Sequence, residues 1–259
     1  MINYLKVLAA TTVVLAIMLF MGACNDGDGT APTPAPEAEK GGVELLSGYP
    51  EDILPLYKSV KIDSITFSVR GDGNYVFGKD IYTVNYLSSA SAQDVIEYYR
   101  GITTSINEEF STDDSLEGSI GENPIGVDLY EGDNGLEVSL IIGMKPSEYV
   151  MENPYFSDYP GDLIEPFGRV TFLGQSYEVR EMDGTETIYT ESYLTNVTKE
   201  EFQSFYSGKY DGAENLNIQD DEYGLTYQWD SRGFTCRASI SANGGPTAES
   251  VTTIANIKK

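Results

Sequence analysis

The stretch IYTVNYLSSASAQDVIEYYRG, Ile81 to Gly101, returns later in the chain as IYTESYLTNVTKEEFQSFYSG, Ile188 to Gly208. Isoleucine, tyrosine, threonine, a Tyr-Leu pair, a further tyrosine and a closing glycine recur at one constant offset of 107 residues. A chain that repeats itself in this way is constrained to build one supersecondary unit twice. Upstream, GYPEDIL (Gly48 to Leu54) answers DYPGDLI (Asp158 to Ile164) at an offset of 110. Downstream, matching the alternating apolar positions sets Ile125, Val127 and Leu129 against Leu225, Tyr227 and Trp229. It also sets Leu136, Val138, Leu140 and Ile142 against Cys236, Ala238, Ile240 and Ala242, an offset of 100. On this reading the first copy carries seven extra residues in the loop region around STDDSLEGSIGENP.

Each copy reads alike. A Tyr-Pro turn precedes strands at Val60 to Val69 and at Arg169 to Arg180. A second strand follows at DIYTVNYL and TIYTESYL. Ser91 with Asp94, and Thr198 with Glu201, stand three apart, as a helix cap and its reciprocal acid do. Val95, Tyr99, Ile102 and Ile106 then predict one apolar helical stripe, and Phe202, Phe205 and Tyr206 a shorter one. GDNG (Gly132 to Gly135) and DSRG (Asp230 to Gly233) predict hairpin turns. The tail SVTTIANI predicts a last strand or an ordered extension. The expected fold class is α+β: two tandem repeats, at 44–148 and 155–259, each an antiparallel sheet with one helix packed on one face. MKPSEYVMENPYF joins them.

The N-terminus carries a different signal. Lys6 precedes the apolar run VLAATTVVLAIMLFMGA, Val7 to Ala23, which ends in small residues before Cys24. MGAC resembles the lipobox of bacterial lipoproteins, with Met21 where that family prefers leucine. The resemblance implies a signal peptide at 1–23, cleavage before Cys24 and a diacylglyceryl group on its sulfur. Two or more acyl chains hold a protein stably on a membrane. Residues 24–43 then form the acylated cysteine and a flexible linker. Within it APTPAP favours extended polyproline II and gives a reach of up to about 50 Å. The body of the first copy resembles a recurrent unit of secreted bacterial lipoproteins. The match rests on Pro55-Leu56-Tyr57 and on Val95 to Tyr99; the second copy departs from it at Pro166-Phe167 and at Phe202 to Tyr206. That resemblance implies architecture and no catalytic residue.

Composition narrows the function. The 259 residues include no histidine, which removes Ser-His-Asp and Cys-His catalysis and every histidine metal site. With Cys24 acylated, Cys236 has no disulfide partner, and its alternation with Ala238, Ile240 and Ala242 predicts a buried, inert thiol. There are 41 acids against 16 bases, a net charge of −25, so nucleic acid is not an expected partner. Acid clusters at Asp113-Asp114, Asp220-Asp221-Glu222 and Glu131 with Asp133 read as solvated loops. The many tyrosines of the repeats, among them Tyr82, Tyr86, Tyr99, Tyr193, Tyr206, Tyr223 and Tyr227, read as packing ahead of an aromatic binding face. No catalytic residue, metal ligand or cofactor is assigned.

The function expected is a lipid-anchored extracytoplasmic module, held to a bacterial membrane through Cys24. It would be non-catalytic and would bind or scaffold an envelope protein or a cell-wall polymer. The alternative is a glycan hydrolase of the cell envelope built on two converging carboxylates about 5 to 9.5 Å apart.

Overall fold

The computed structural model describes residues 42–70, 80–144, 159–181, 184–241 and 248–258. The signal run, Cys24 and most of the linker lie outside them. In the first half, β1 (Ser59–Arg70) and β2 (Asp80–Ser88) precede α1 (Ala92–Ile102). β3 (Ser105–Ile106), β4 (Ser115–Ile120), β5 (Asn123–Gly132) and β6 (Gly135–Met144) follow. In the second half, β7 (Arg169–Glu181), β8 (Thr185–Thr195) and α2 (Lys199–Tyr210) come first. β9 (Glu214–Asp221), β10 (Gly224–Ser231), β11 (Phe234–Ser241) and β12 (Ala248–Lys258) complete it.

The expected fold class is corrected by the sheet. All the strands join one 12-stranded sheet, in the order β3-β4-β5-β6-β2-β1-β7-β8-β12-β11-β10-β9, with every pairing antiparallel. Over the described residues the chain is mostly β with two short helices, and not an α+β pair of separate sheets. The reason lies in β1, apolar on its buried side, and in β7, whose Tyr177 and Val179 stand opposite Phe67 and Ile65. Either strand left as an edge would expose a full row of backbone donors and acceptors, and each satisfies the other. They pair over Ser64 to Arg70.

Strand order runs the same way outward from that central seam on both sides. Register then gives the counterparts. Tyr86 pairs with Ile62, and Tyr193, 107 residues later, pairs with Phe172, so β1 answers β7 at an offset of 110. Register shifts fall between Ser59/Lys61 and Ile62/Ser64 in β1, and between Arg169/Thr171 and Phe172/Gly174 in β7, which are the same four positions. Bulges retained at matching positions are built features of a strand. Just ahead of them Lys58 has φ 46° and its counterpart Gly168 has φ 68°. A Cβ on Gly168 would come within 2.4 Å of Val197, so glycine is required there on two grounds. Across the seam Phe67 pairs with Tyr177, its own counterpart, and Ile65 with Val179 mirrors Val69 with Gln175. The seam is therefore isologous: one surface meets its equivalent about a local two-fold axis.

Beyond the helices the downstream match is also corrected. Val138 pairs with Tyr86 as Ser250 pairs with Tyr193, and Leu116 pairs with Val127 as Tyr227 pairs with Ala238. Thus β4, β5 and β6 correspond to β10, β11 and β12, at offsets of 111 to 112 and not 100. The hairpin turns fall at the expected residues. Arg232 and Gly233 both take positive φ, as a two-residue turn of the primed type needs. Both helices start at the expected caps: Ser91 accepts from the Asp94 N–H, and Thr198 and Glu201 form a full capping box. α1 ends at Ile102, because Thr103 caps it, and Ile106 belongs to β3 and not to the helical stripe.

The helices cover one face of the sheet. Val95, Ile96 and Tyr99 of α1, and Phe202 and Tyr206 of α2, are buried against it. The recurring tyrosines hold the chain entering each half. The Tyr99 hydroxyl donates to the Pro55 carbonyl at 2.8 Å, accepts from the Tyr57 N–H at 3.1 Å and meets the Tyr86 hydroxyl at 3.0 Å. In the second half Tyr206 donates to the Glu165 carbonyl at 2.9 Å. The Tyr57–Tyr98 stack, centroids 4.2 Å apart, is matched by Phe167–Phe205 at 4.2 Å. The Pro-x-Tyr opening is thus the segment that a buried tyrosine hydroxyl grips.

Candidate binding face

The face of the sheet away from the helices carries rows of polar side chains among apolar ones such as Ile81, Ile141 and Ile188. One row, read through the register, runs Ser115, Asp128, Ser139, Asn85, Ser64, Arg180, Glu186 across seven strands. The Ser115 hydroxyl donates to Asp128 at 2.9 Å and the Asn85 amide to the Ser64 hydroxyl at 2.8 Å. A parallel row runs Ser68, Ser176, Thr190, Thr253, Arg237, Gln228.

This face holds a shallow, open cavity of about 170 Å³ beside the seam, on the second-half side. Ser68, Leu173, Gly174, Ser176, Thr190, Ser192 and Glu249 contribute to its wall. Comparison of the halves explains it. Gly174 and Ser192 are the counterparts of Ser64 and Asn85, whose side chains meet across the same spot in the first half. Replacing them by a bare backbone and a short hydroxyl leaves the space. Hydroxyls that both donate and accept, around one carboxylate, suit a neutral polyhydroxylated ligand.

Two groups of carboxylates share this face. Glu178 is pushed above the usual carboxylate range chiefly by burial; Arg180 opposes the shift and Glu186 adds to it. Arg180 donates to Glu186 at 2.5 Å, and Glu186 is 8% exposed. Glu117 and Asp128 are likewise raised, mainly by burial. Reading the sequence misses Glu178 and Glu186. Their strands are half polar by design of the alternation, and nothing local shows that the two acids land on neighbouring strands.

The acid clusters seen in the sequence are placed apart. Asp113 and Asp114 lie in an exposed loop, Glu131 and Asp133 at the β5–β6 turn, and Asp220 to Glu222 at the β9–β10 turn. Asp221 accepts from the Tyr223 and Gly224 N–H groups, which tie the turn and hold its carboxyl below the usual range. Among the described residues no three acids or cysteines gather as a metal site needs. Tyr82, Tyr86, Tyr99, Tyr193, Tyr206 and Tyr227 are buried, and Tyr223 stands 79% exposed at a turn. Cys236 is buried, and burial pushes its thiol up to about 11. Cys24 lies outside the described residues. Among those residues no helix is long and apolar enough to cross a membrane.

Compared with known protein families, characterised proteins and solved structures, the chain matches none.

Proposed function

We propose that the protein is an extracytoplasmic lipoprotein, anchored through lipid on Cys24, that binds an envelope polymer without cleaving it. The lipobox-like MGAC and the proline-bearing linker support the anchor and the reach. The hydroxyl-lined cavity beside the seam carries the binding reading, because its wall offers paired donors and acceptors at the scale of one sugar unit. The strong negative charge favours a neutral or cationic polymer over an anionic one.

The test is retention of the detergent-solubilised full chain on insoluble cell-wall polymer. Ser192→Trp fills the cavity and is expected to lower retention about tenfold, a loss of about 1.4 kcal/mol. Phe110→Arg, on an exposed loop elsewhere, should leave it unchanged. No retention of the parent chain, or retention indifferent to Ser192→Trp, overturns the reading. Glu178 beside Glu186 is the observation that favours the hydrolase alternative. Release of soluble fragments that Glu178→Gln abolishes would move the assignment there.

A further inference from the structure

The two outer edges of the sheet are counterparts, yet they end differently. On the first-half side the edge strand β3 is two residues long. The chain then leaves the sheet as a loop tied back onto β4, with the Asn107 N–H donating to Glu117 and the Thr112 N–H to Ser115. On the second-half side the same stretch continues as β9, an eight-residue strand exposed at every position but Leu216. β9 pairs with β10 on one side. Among the described residues its other side is the end of the sheet, so a row of backbone donors and acceptors faces outward there.

Two of the exposed large apolar side chains in the described residues mark this edge: Ile218, 47% exposed, and Tyr223, 79% exposed. Ile218 pairs opposite Tyr227 and so lies on the helix side of the sheet. The charged residues of β9 and its turn are Glu214, Asp220, Asp221 and Glu222, all acids. Lys199 pairs with Asp220; among the described residues no cation lies in salt-bridge contact with the other three acids. Edges are commonly guarded by charged side chains, lysine above all, by proline or by a bulge, and the acids of β9 guard it against acidic partners only. Here β9 has neither lysine nor proline, and its one irregularity falls at its start, opposite Gln228 and Asp230.

We propose that β9 is a strand-addition site for an extended basic segment of another protein. The added strand would complete the backbone ladder, cover Ile218 with an apolar side chain and set lysines or arginines against Glu214, Asp221 and Glu222. A second copy of this chain is a poor occupant, because edge-to-edge pairing would set the same acids against each other. The site is separate from the cavity on the outer face, and neither reading depends on the other.

The test titrates a fluorescent Lys-Val-Lys-Val-Lys-Val peptide with the full chain in detergent. The peptide is expected to bind saturably and more weakly as salt rises. Ile218→Lys puts a cation on the edge and should weaken binding about tenfold. Val170→Lys adds the same charge at an exposed apolar position on β7 and should change it less than about twofold. A Glu-Val peptide of the same length should not bind. Absence of binding, equal losses from the two lysine variants, or equal binding of the acidic peptide would overturn the proposal.

Discussion

The helix-side interiors of the two halves differ where their backbones agree. In the first half Ile65, Val84 and Val138 lie on this side, each 1% exposed or less. Their counterparts are Gln175, Glu191 and Ser250. Glu191 is 3% exposed and accepts from Arg169 at 2.6 Å and from Gln175 at 3.2 Å. Ser250 spends its hydroxyl on the Ser239 carbonyl at 2.9 Å. Among the described residues the first-half core has 22 buried members and the second-half core 11. Strand order, bulges and tyrosine grips thus survive a change from apolar to charged filling. The backbone frame does not depend on the chemistry of these central side chains, provided that the buried carboxylate finds partners; the Gln175 Oε1 is buried without one and the frame still holds.

Breaking that proviso should have the largest effect. Val84→Glu puts the second half's carboxylate into the first half without Arg169 or Gln175, and is expected to cost about 3–5 kcal/mol in a denaturant melt. Arg169→Leu strands Glu191. Because Arg169 is half exposed, water recovers part of the loss, and about 2 kcal/mol is expected. Adding Glu191→Val and Gln175→Ile to Arg169→Leu should restore stability to within about 1 kcal/mol of the parent. A triple variant as weak as the single one would show that the ion pair itself, and not its completeness, holds this half.

The tyrosine grips give a finer comparison. Tyr99→Phe removes a hydroxyl with three polar contacts and should cost about 2 kcal/mol; Tyr206→Phe should cost about 1 kcal/mol. On the outer face, Glu178 titrates higher folded than unfolded. The folded chain therefore holds the extra proton between those two values and loses stability as pH rises through them. Glu178→Gln should raise the melting temperature at pH 7 and give no gain near pH 3, in melts at the two pH values. Smallest is Cys236→Val. Cys236 is the counterpart of Ile125 and acts as filler, so a change under about 1 kcal/mol is expected.

The same comparison shows what could be read from the chain. The caps at Ser91 and Thr198, the turn at Asp230 to Gly233 and the offsets of 107 and 110 were readable because each rests on local chemistry. The offset beyond the helices was not. Every strand there alternates apolar and polar, so sliding by one strand matches Leu136 to Cys236 as well as to the true counterpart. Ser250 and Glu191 made it worse: polar residues at core positions hid β12 as the partner of β6. One sheet or two was also out of reach, since an apolar β1 reads alike whether it meets β7 or a loop. Of the outer face, the cavity arises from Gly174 and Ser192 lying side by side across strands, a proximity that no local pattern carries. The anchor expected from the chain falls on Cys24, outside the described residues, and the proposed binding falls on the cavity within them.

The isologous seam between β1 and β7 is the claim on which the single sheet stands, and a cysteine pair tests it directly. Ser68 and Ser176 are partners across the seam, on the outer face. Directly opposed residues on antiparallel strands lie about 4.5–5.5 Å apart at Cα, within reach of a disulfide. In the Ser68→Cys/Ser176→Cys chain, mild oxidation should close a single intramolecular bridge nearly completely. Thiols that stay free under oxidation, with Cys236 buried and silent, would mean that the two halves do not share a sheet.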